Sequence, residues 1–161
     1  MWEKNVDIHG GSNIKWLEYK NGQVFLLTNY LENLTITAYD IHTGSANWEI
    51  KRTISDLWPT YKLTPAFYND ILLLPLDNTI EYIYNETGEL KDIYADDDIE
   101  QLFYFNEYSV QNNNILFAVE DIDYEYYLVN IDTKDKINSG ELIGKQPQLS
   151  IWNNNIFFDI S

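Results

Sequence analysis

Ala38-Tyr-Asp-Ile-His-Thr-Gly-Ser-Ala-Asn-Trp48 reads as a strand, a tight turn and a second strand. Asp40, Thr43 and Gly44 carry the turn. An Asp side chain accepts from backbone amides just ahead of it, and glycine enters the left-handed region without a Cβ clash. Ala38 and Trp48 flank the turn, one small and one large, as residues packing between neighbouring sheets would.

The same elements recur with a period near 44 residues. A short polar turn followed by an apolar strand occurs at Asn21-Gly-Gln-Val24, Asn69-Asp-Ile71, Asn113-Asn-Ile115 and Asn154-Asn-Ile156. Val24, Ile71, Ile115 and Ile156 are separated by 47, 44 and 41 residues (71−24, 115−71, 156−115). The second turn returns at Thr43-Gly44, Thr87-Gly88 and Thr133-Lys134, at separations of 44 and 46. Two independent markers with one period, built from short strands, indicate a propeller blade of four antiparallel strands. No long stretch holds the i, i+3, i+4, i+7 pattern of a helix.

The predicted fold is therefore all-β, a small β-propeller of about four blades in one domain spanning residues 1–161. Its repeat units are about 12–56, 57–100, 101–145, and 146–161 together with 1–9. Strands are predicted at 14–20, 24–29, 34–41 and 47–54 in the first unit, and at 64–68, 71–76, 79–84 and 89–94 in the second. The third should hold 103–110, 115–119, 124–131 and 141–144, and the fourth 148–152 and 156–160. The last unit lacks two strands. Trp2–Ile8 is strand-like and is expected to pair with that unit and close the ring, leaving no long free edge.

These units resemble the repeats of the pyrroloquinoline-quinone-type (PQQ-like) β-propeller superfamily. Leu63-Thr-Pro-Ala-Phe-Tyr-Asn-Asp-Ile-Leu-Leu-Leu74, followed by Thr79 through Gly88, is similar to that superfamily's order of elements. Ala38 through Trp48 resembles its tryptophan-docking motif at all five marked positions. The second unit has Ile93 near the expected tryptophan. The third has Lys134 for the turn glycine and no matching tryptophan. The resemblance implies a fold and not an activity. Quinone-dependent dehydrogenases of the superfamily resemble one another in having many more blades and often a vicinal cysteine pair. This chain has no cysteine, so no cofactor is expected and Trp48 is assigned to blade packing.

Charge and composition narrow the function. The 26 acidic and 10 basic side chains leave a net charge of −16. Neutralising phosphates is then unfavourable, which argues against nucleic acid and against an anionic membrane. The complement of such charge is a basic protein, steered in by the field. Thiolate chemistry and disulfides are excluded. No apolar leader core is visible, and no apolar run approaches the roughly 18 residues of a membrane span. A cytoplasmic, monomeric protein is expected.

No residue set points to catalysis. His9 and His42 have no nucleophile motif around them. Asp96-Asp-Asp98 with Glu100, and Asp121-Ile-Asp123, lack the alternation, glycine and distal glutamate of a calcium loop. No metal site is expected. Paired carboxylates for glycoside hydrolysis are conceivable in an acidic propeller, but nothing singles out a pair.

Sorting the acids by loop is more informative. Loops joining the second strand to the third, and one blade to the next, lie at one end of a propeller. That end should receive Glu32, Asp77, Asp96, Asp97, Asp98, Glu100, Glu120, Asp121 and Asp123, with Tyr30, Trp58, Tyr94, Tyr104, Tyr124 and Tyr126 close by. The other end should be mostly Asn-rich turns. Carboxylates beside Tyr and Trp suit a protein hot spot, with Trp58 and Tyr124 as anchors. The expected function is a non-catalytic acidic protein-binding module, in its most specific form an immunity or inhibitor protein against a basic bacterial toxin such as a nuclease. The alternatives are a generic scaffold or ligand-binding propeller, cut from a larger envelope protein, and a carbohydrate-active enzyme.

Overall fold

Four antiparallel sheets follow one another along the chain, each within one of the expected repeats. They are seen in a computed structural model that describes Glu3 and residues 13–54, 63–106, 109–120, 124–142, 148–152 and 155–159. The N-terminal strand expected at Trp2–Ile8, and its pairing with the last unit, lie outside the described residues. The chain divides into two compact units, residues 1–58 with 86–89, and residues 59–85 with 90–161.

The first unit holds one sheet in the order β1 (Asn13–Lys20), β2 (Gln23–Tyr30), β3 (Asn33–Asp40), β4 (Ala46–Thr53). The second holds three. The first of these is β5 (Ala66–Tyr68), β6 (Ile71–Leu76), β7 (Thr79–Tyr84), β8 (Leu90–Ala95). Next come β9 (Gln101–Tyr104) and β10 (Val110–Gln111), both paired with β11 (Asn114–Glu120), then β12 (Tyr124–Asn130) and β13 (Lys136–Leu142). A hairpin of β14 (Gln148–Trp152) and β15 (Asn155–Asp159) is last. No α-helix occurs among the described residues.

Burial explains why these segments differ in composition. Ile71–Pro75 and Ile115–Val119 are buried residue after residue. These second strands are covered on both faces, so their sequences are continuous apolar runs rather than alternations. The fourth strands β4, β8 and β13 are mostly exposed, and β4 and β13 are mostly polar. That gradient accounts for one misplaced strand. The fourth strand of the third sheet starts at Lys136, not Glu141. Its Asn-Ser-Gly centre resembles a loop in sequence, but a solvent-facing strand tolerates polar residues.

A second correction concerns the strand expected at 103–110. It breaks into β9 and β10. Asn106 N donates to Ser109 Oγ at 3.0 Å, and Ser109 N donates to Asn106 O at 2.9 Å. Side-chain bonding of this kind offers the backbone an alternative to the ladder. Just before the break, Thr64 N donates to Phe105 O at 2.9 Å, and Leu63 bridges Phe105 in parallel. Behind the third sheet, Leu149 and Ile151 of β14 pack with Tyr104, Leu116, Ala118 and Leu142.

The opening stretch folds as read. Asp40 Oδ1 accepts from His42 N, Thr43 N and the Thr43 hydroxyl at 2.7–3.0 Å. The threonine is the constant part of the turn. Thr43, Thr87 and Thr133 Oγ1 accept from Ser45, Glu89 and Asp135 N at 3.2, 3.2 and 3.3 Å. Trp48 lies opposite Ala38 in the β3–β4 register. Its ring meets Phe25 edge-on, with centroids 5.7 Å apart. It also covers Gly88 in the same unit, where a Cβ would lie 2.8 Å from Trp48 Cδ2.

The later repeats keep the register and change the residues. Tyr82 pairs with Asp92 and Leu128 with Asn138, and each of the three ladders has an irregularity one step on. The residue at the tryptophan position of the second repeat is thus Asp92, with Ile93 next to it. Lys134 takes the glycine position with φ 62°, against 70° at Gly44 and 75° at Gly88.

Candidate functional site

Two turns and a strand end meet at one end of the second unit. Leu102 N, near the start of β9, donates to Asp77 O in the β6–β7 turn. Gln101 pairs with Glu120, and Glu120 pairs with Tyr124. This places Asp77, the loop of Asp96, Asp97, Asp98 and Glu100, the end of β11 at Glu120, and Tyr124 at one end. Asp97, Asp98 and Glu100 are exposed, and Asp77 is half-buried. Glu32 is exposed in the first unit, where its carbonyl accepts from Ile54 N at 2.8 Å. Trp58, Asp121 and Asp123 lie outside the described residues.

The carboxylates there differ in role. Asp96 Oδ1 accepts from Asp98 N at 3.1 Å, which shapes the turn. Asp96 Oδ2 lies 3.3 Å from Lys136 Nζ and 3.5 Å from the Tyr94 hydroxyl. The Asp98 amide, ahead of Lys136, holds the Asp96 carboxyl below its usual range. Asp96 is thus a structural residue, its side chain 20% exposed, while that of Asp98 is 78% exposed. The aromatics divide similarly. Tyr94 and Tyr104 are buried, so they brace the sheets. Tyr124 and Tyr126 are half-buried, and Tyr30 is exposed in the first unit.

Acid is not confined to this end. Asp70, Asp132 and Asp135 are exposed at the opposite end of the same unit, beside the Asn69 and Asn112 turns. Asp132 Oδ2 accepts from the Tyr68 hydroxyl at 3.2 Å. Counting Asn in the turns hid these acids, which sit next to them in sequence.

Two lysines reach β8 and the loop after it: Lys134, noted in the sequence only as a replacement for the turn glycine, and Lys136, which no motif marks. Lys134 Nζ lies 2.6 Å from Asp92 Oδ2. Lys136 Nζ stands 4.5 Å from the centroid of Tyr127, close to Asp96 and 3.9 Å from Asp98. Tyr127 stacks on Phe117 at 5.6 Å, and Phe117 meets Tyr94 edge-on at 5.7 Å. Burial, reinforced by Glu125, pushes the Tyr127 hydroxyl up to about 12, and burial followed by Asp96 pushes that of Tyr94 up as well. These phenols therefore stay neutral and serve as packing and donor groups.

The hydrogen bond from Lys134 holds the Asp92 carboxyl below its usual range. A carboxylate whose pKa is depressed by folding adds stability above its unfolded value, near 4, and loses it as pH falls through the folded value. Stability measured by denaturant at a series of pH values should fall below about pH 4 less steeply in Lys134→Gln than in the parent.

Among the described residues no group of three His, Asp or Glu is placed to hold a metal ion, and no helix is long and apolar enough to cross a membrane. No protein-family model matches the chain, and no curated protein matches it. Solved structures do. BamB from Moraxella catarrhalis aligns over 89% of this chain and 39% of its own, with 17% identity and a TM-score of 0.54. A europium-containing methanol dehydrogenase aligns over 81% of this chain and 27% of its own, with 9% identity and a TM-score of 0.53. The chain thus spans well under half the length of either. At these identities the likeness shows the fold alone: an all-β chain whose four sheets fit a small propeller.

Proposed function

We propose that this chain is a non-catalytic protein-binding propeller module whose acidic end captures a basic protein. The observation carrying the reading is the end of the second unit, where Asp97, Asp98 and Glu100 project from a loop that Asp96 and Lys136 hold in shape. Carboxylates preset in this way attract cationic side chains without ordering a loop on binding. In its most specific form the chain is an immunity or inhibitor protein, and its carboxylates stand in for the phosphates that a basic toxin such as a nuclease recognises. The net charge of −16 suits rapid capture of such a partner. A second reading, a generic scaffold or ligand-binding segment of a larger envelope protein, is favoured by how little of its structural neighbours the chain spans.

The test is retention from host lysate at about 0.05 M and about 0.5 M salt, with the parent and with Asp97→Asn/Asp98→Asn/Glu100→Gln. The parent should retain a basic protein that leaves with salt. The triple variant should bind it at least about tenfold more weakly, mainly through a slower on-rate, while its thermal stability holds. Retention that ignores both salt and the variant would remove the acidic end from the function.

A further inference from the structure

Trp48 and Gly88 form an apolar dock, a large ring on a residue that has no Cβ. One repeat later both partners have changed. Asp92 stands where Trp48 would, opposite Tyr82 rather than a small alanine. Lys134 stands where Gly88 would, in the same left-handed conformation. The exchange is concerted for a physical reason. Tyr82 is buried and pairs directly with Asp92, so the position opposite is filled by a large ring where the first repeat has Ala38. Without a tryptophan at position 92, residue 134 need not be glycine, so a Cβ and a long side chain are admitted. The side chain then reaches back to Asp92 at 2.6 Å and to the Ile93 carbonyl at 3.5 Å. Lys136 repeats the contact further along, on Asp96.

We infer that the second and third sheets are joined by an ionic dock, Asp92–Lys134 reinforced by Asp96–Lys136, which replaces tryptophan docking and makes this joint adjustable by ionic strength. An apolar dock is indifferent to salt, whereas a half-exposed ion pair is screened by it. Lys134 and Asp92 are 35% and 45% exposed, which puts the pair within reach of counter-ions. A lysine at positive φ carries backbone strain, and the ion pair is a contact that offsets it. The inference stands independently of the proposed function.

Hydrogen exchange of the full chain tests it. The reporter is the β12–β13 turn, where Lys134 N donates to Asn130 O and Asn130 N donates to Asp135 O. The control is the first turn, where Gly44 N donates to Asp40 O and Asp40 N donates to Ser45 O. The parent, Asp92→Asn, Lys134→Gln and the double variant are compared at 0.01 M and 1 M NaCl, where screening lengths are about 30 Å and about 3 Å. At low salt each single variant should speed reporter exchange about two- to fivefold, the double should match the singles, and the control should not move. At 1 M the parent should exchange like the variants. Equal exchange in all four proteins at low salt would overturn the inference. So would additive single effects, or a gap that persists unchanged at 1 M.

Discussion

Phe117→Ala lowers the stability of the second unit by about 4 kcal/mol, the largest effect expected of any single truncation here. Phe117 is fully buried on β11, a strand covered on both faces. Its ring lies between Tyr127, stacked at 5.6 Å, and Tyr94, edge-on at 5.7 Å. Truncation removes the transfer energy of the ring and leaves a cavity between two aromatics. Neither can collapse into it freely. Tyr94 is tied to Asp96 by its hydroxyl, and Tyr127 is tied to Glu125 at 3.2 Å and covered by Lys136. Phe117→Leu should cost clearly less, about 1–2 kcal/mol, because it keeps most of the volume. Denaturant unfolding of the three proteins measures this. A loss below about 1.5 kcal/mol for the alanine variant would show that the aromatic column is not the core of the joint.

Much of the fold was legible because it rests on backbone chemistry that repeats. The Thr turns at 43, 87 and 133 hydrogen-bond alike whatever follows them. The buried second strands declare themselves as apolar runs such as Ile71 to Leu74. What escaped the sequence was positional. Asp92, not Ile93, holds the tryptophan position, because the strand pairing counts from the turn and not from the nearest apolar residue. Lys134 was legible only as a replacement for the turn glycine and Lys136 not at all, since an ion pair 40 or so residues away in sequence leaves no local trace. The acidic end was half legible. Loop topology placed Asp77, Asp96 to Glu100 and Glu120 together, but not the division between Asp96, spent on its own turn, and Asp97 and Asp98, which face solvent.

Gly88→Ala is the second large effect, about 2–4 kcal/mol, and it separates two costs that usually come mixed. The first is conformational. Gly88 has φ 75°, where an added Cβ costs on the order of 1 kcal/mol. The second is steric. That Cβ would lie 2.8–3.0 Å from Cδ2, Cγ and Cε3 of Trp48. These are atoms of a rigid ring near its attachment point, so the indole must move as a whole and give up its edge-on contact with Phe25. In a Trp48→Ala background the steric cost is gone and only the conformational cost remains. Trp48→Ala alone should cost about 2 kcal/mol, below the usual loss for a fully buried tryptophan because Trp48 is only half-buried. The double-mutant cycle should therefore show a coupling of about 1–2 kcal/mol between residues 40 positions apart. Additive losses would mean that Trp48 does not rest on Gly88. Lys134, at the matching position with φ 62° and no tryptophan above it, provides the internal contrast. There Lys134→Gly should relieve strain and remove an ion pair, so the two effects should oppose one another at low salt and the variant should turn stabilising when the pair is screened.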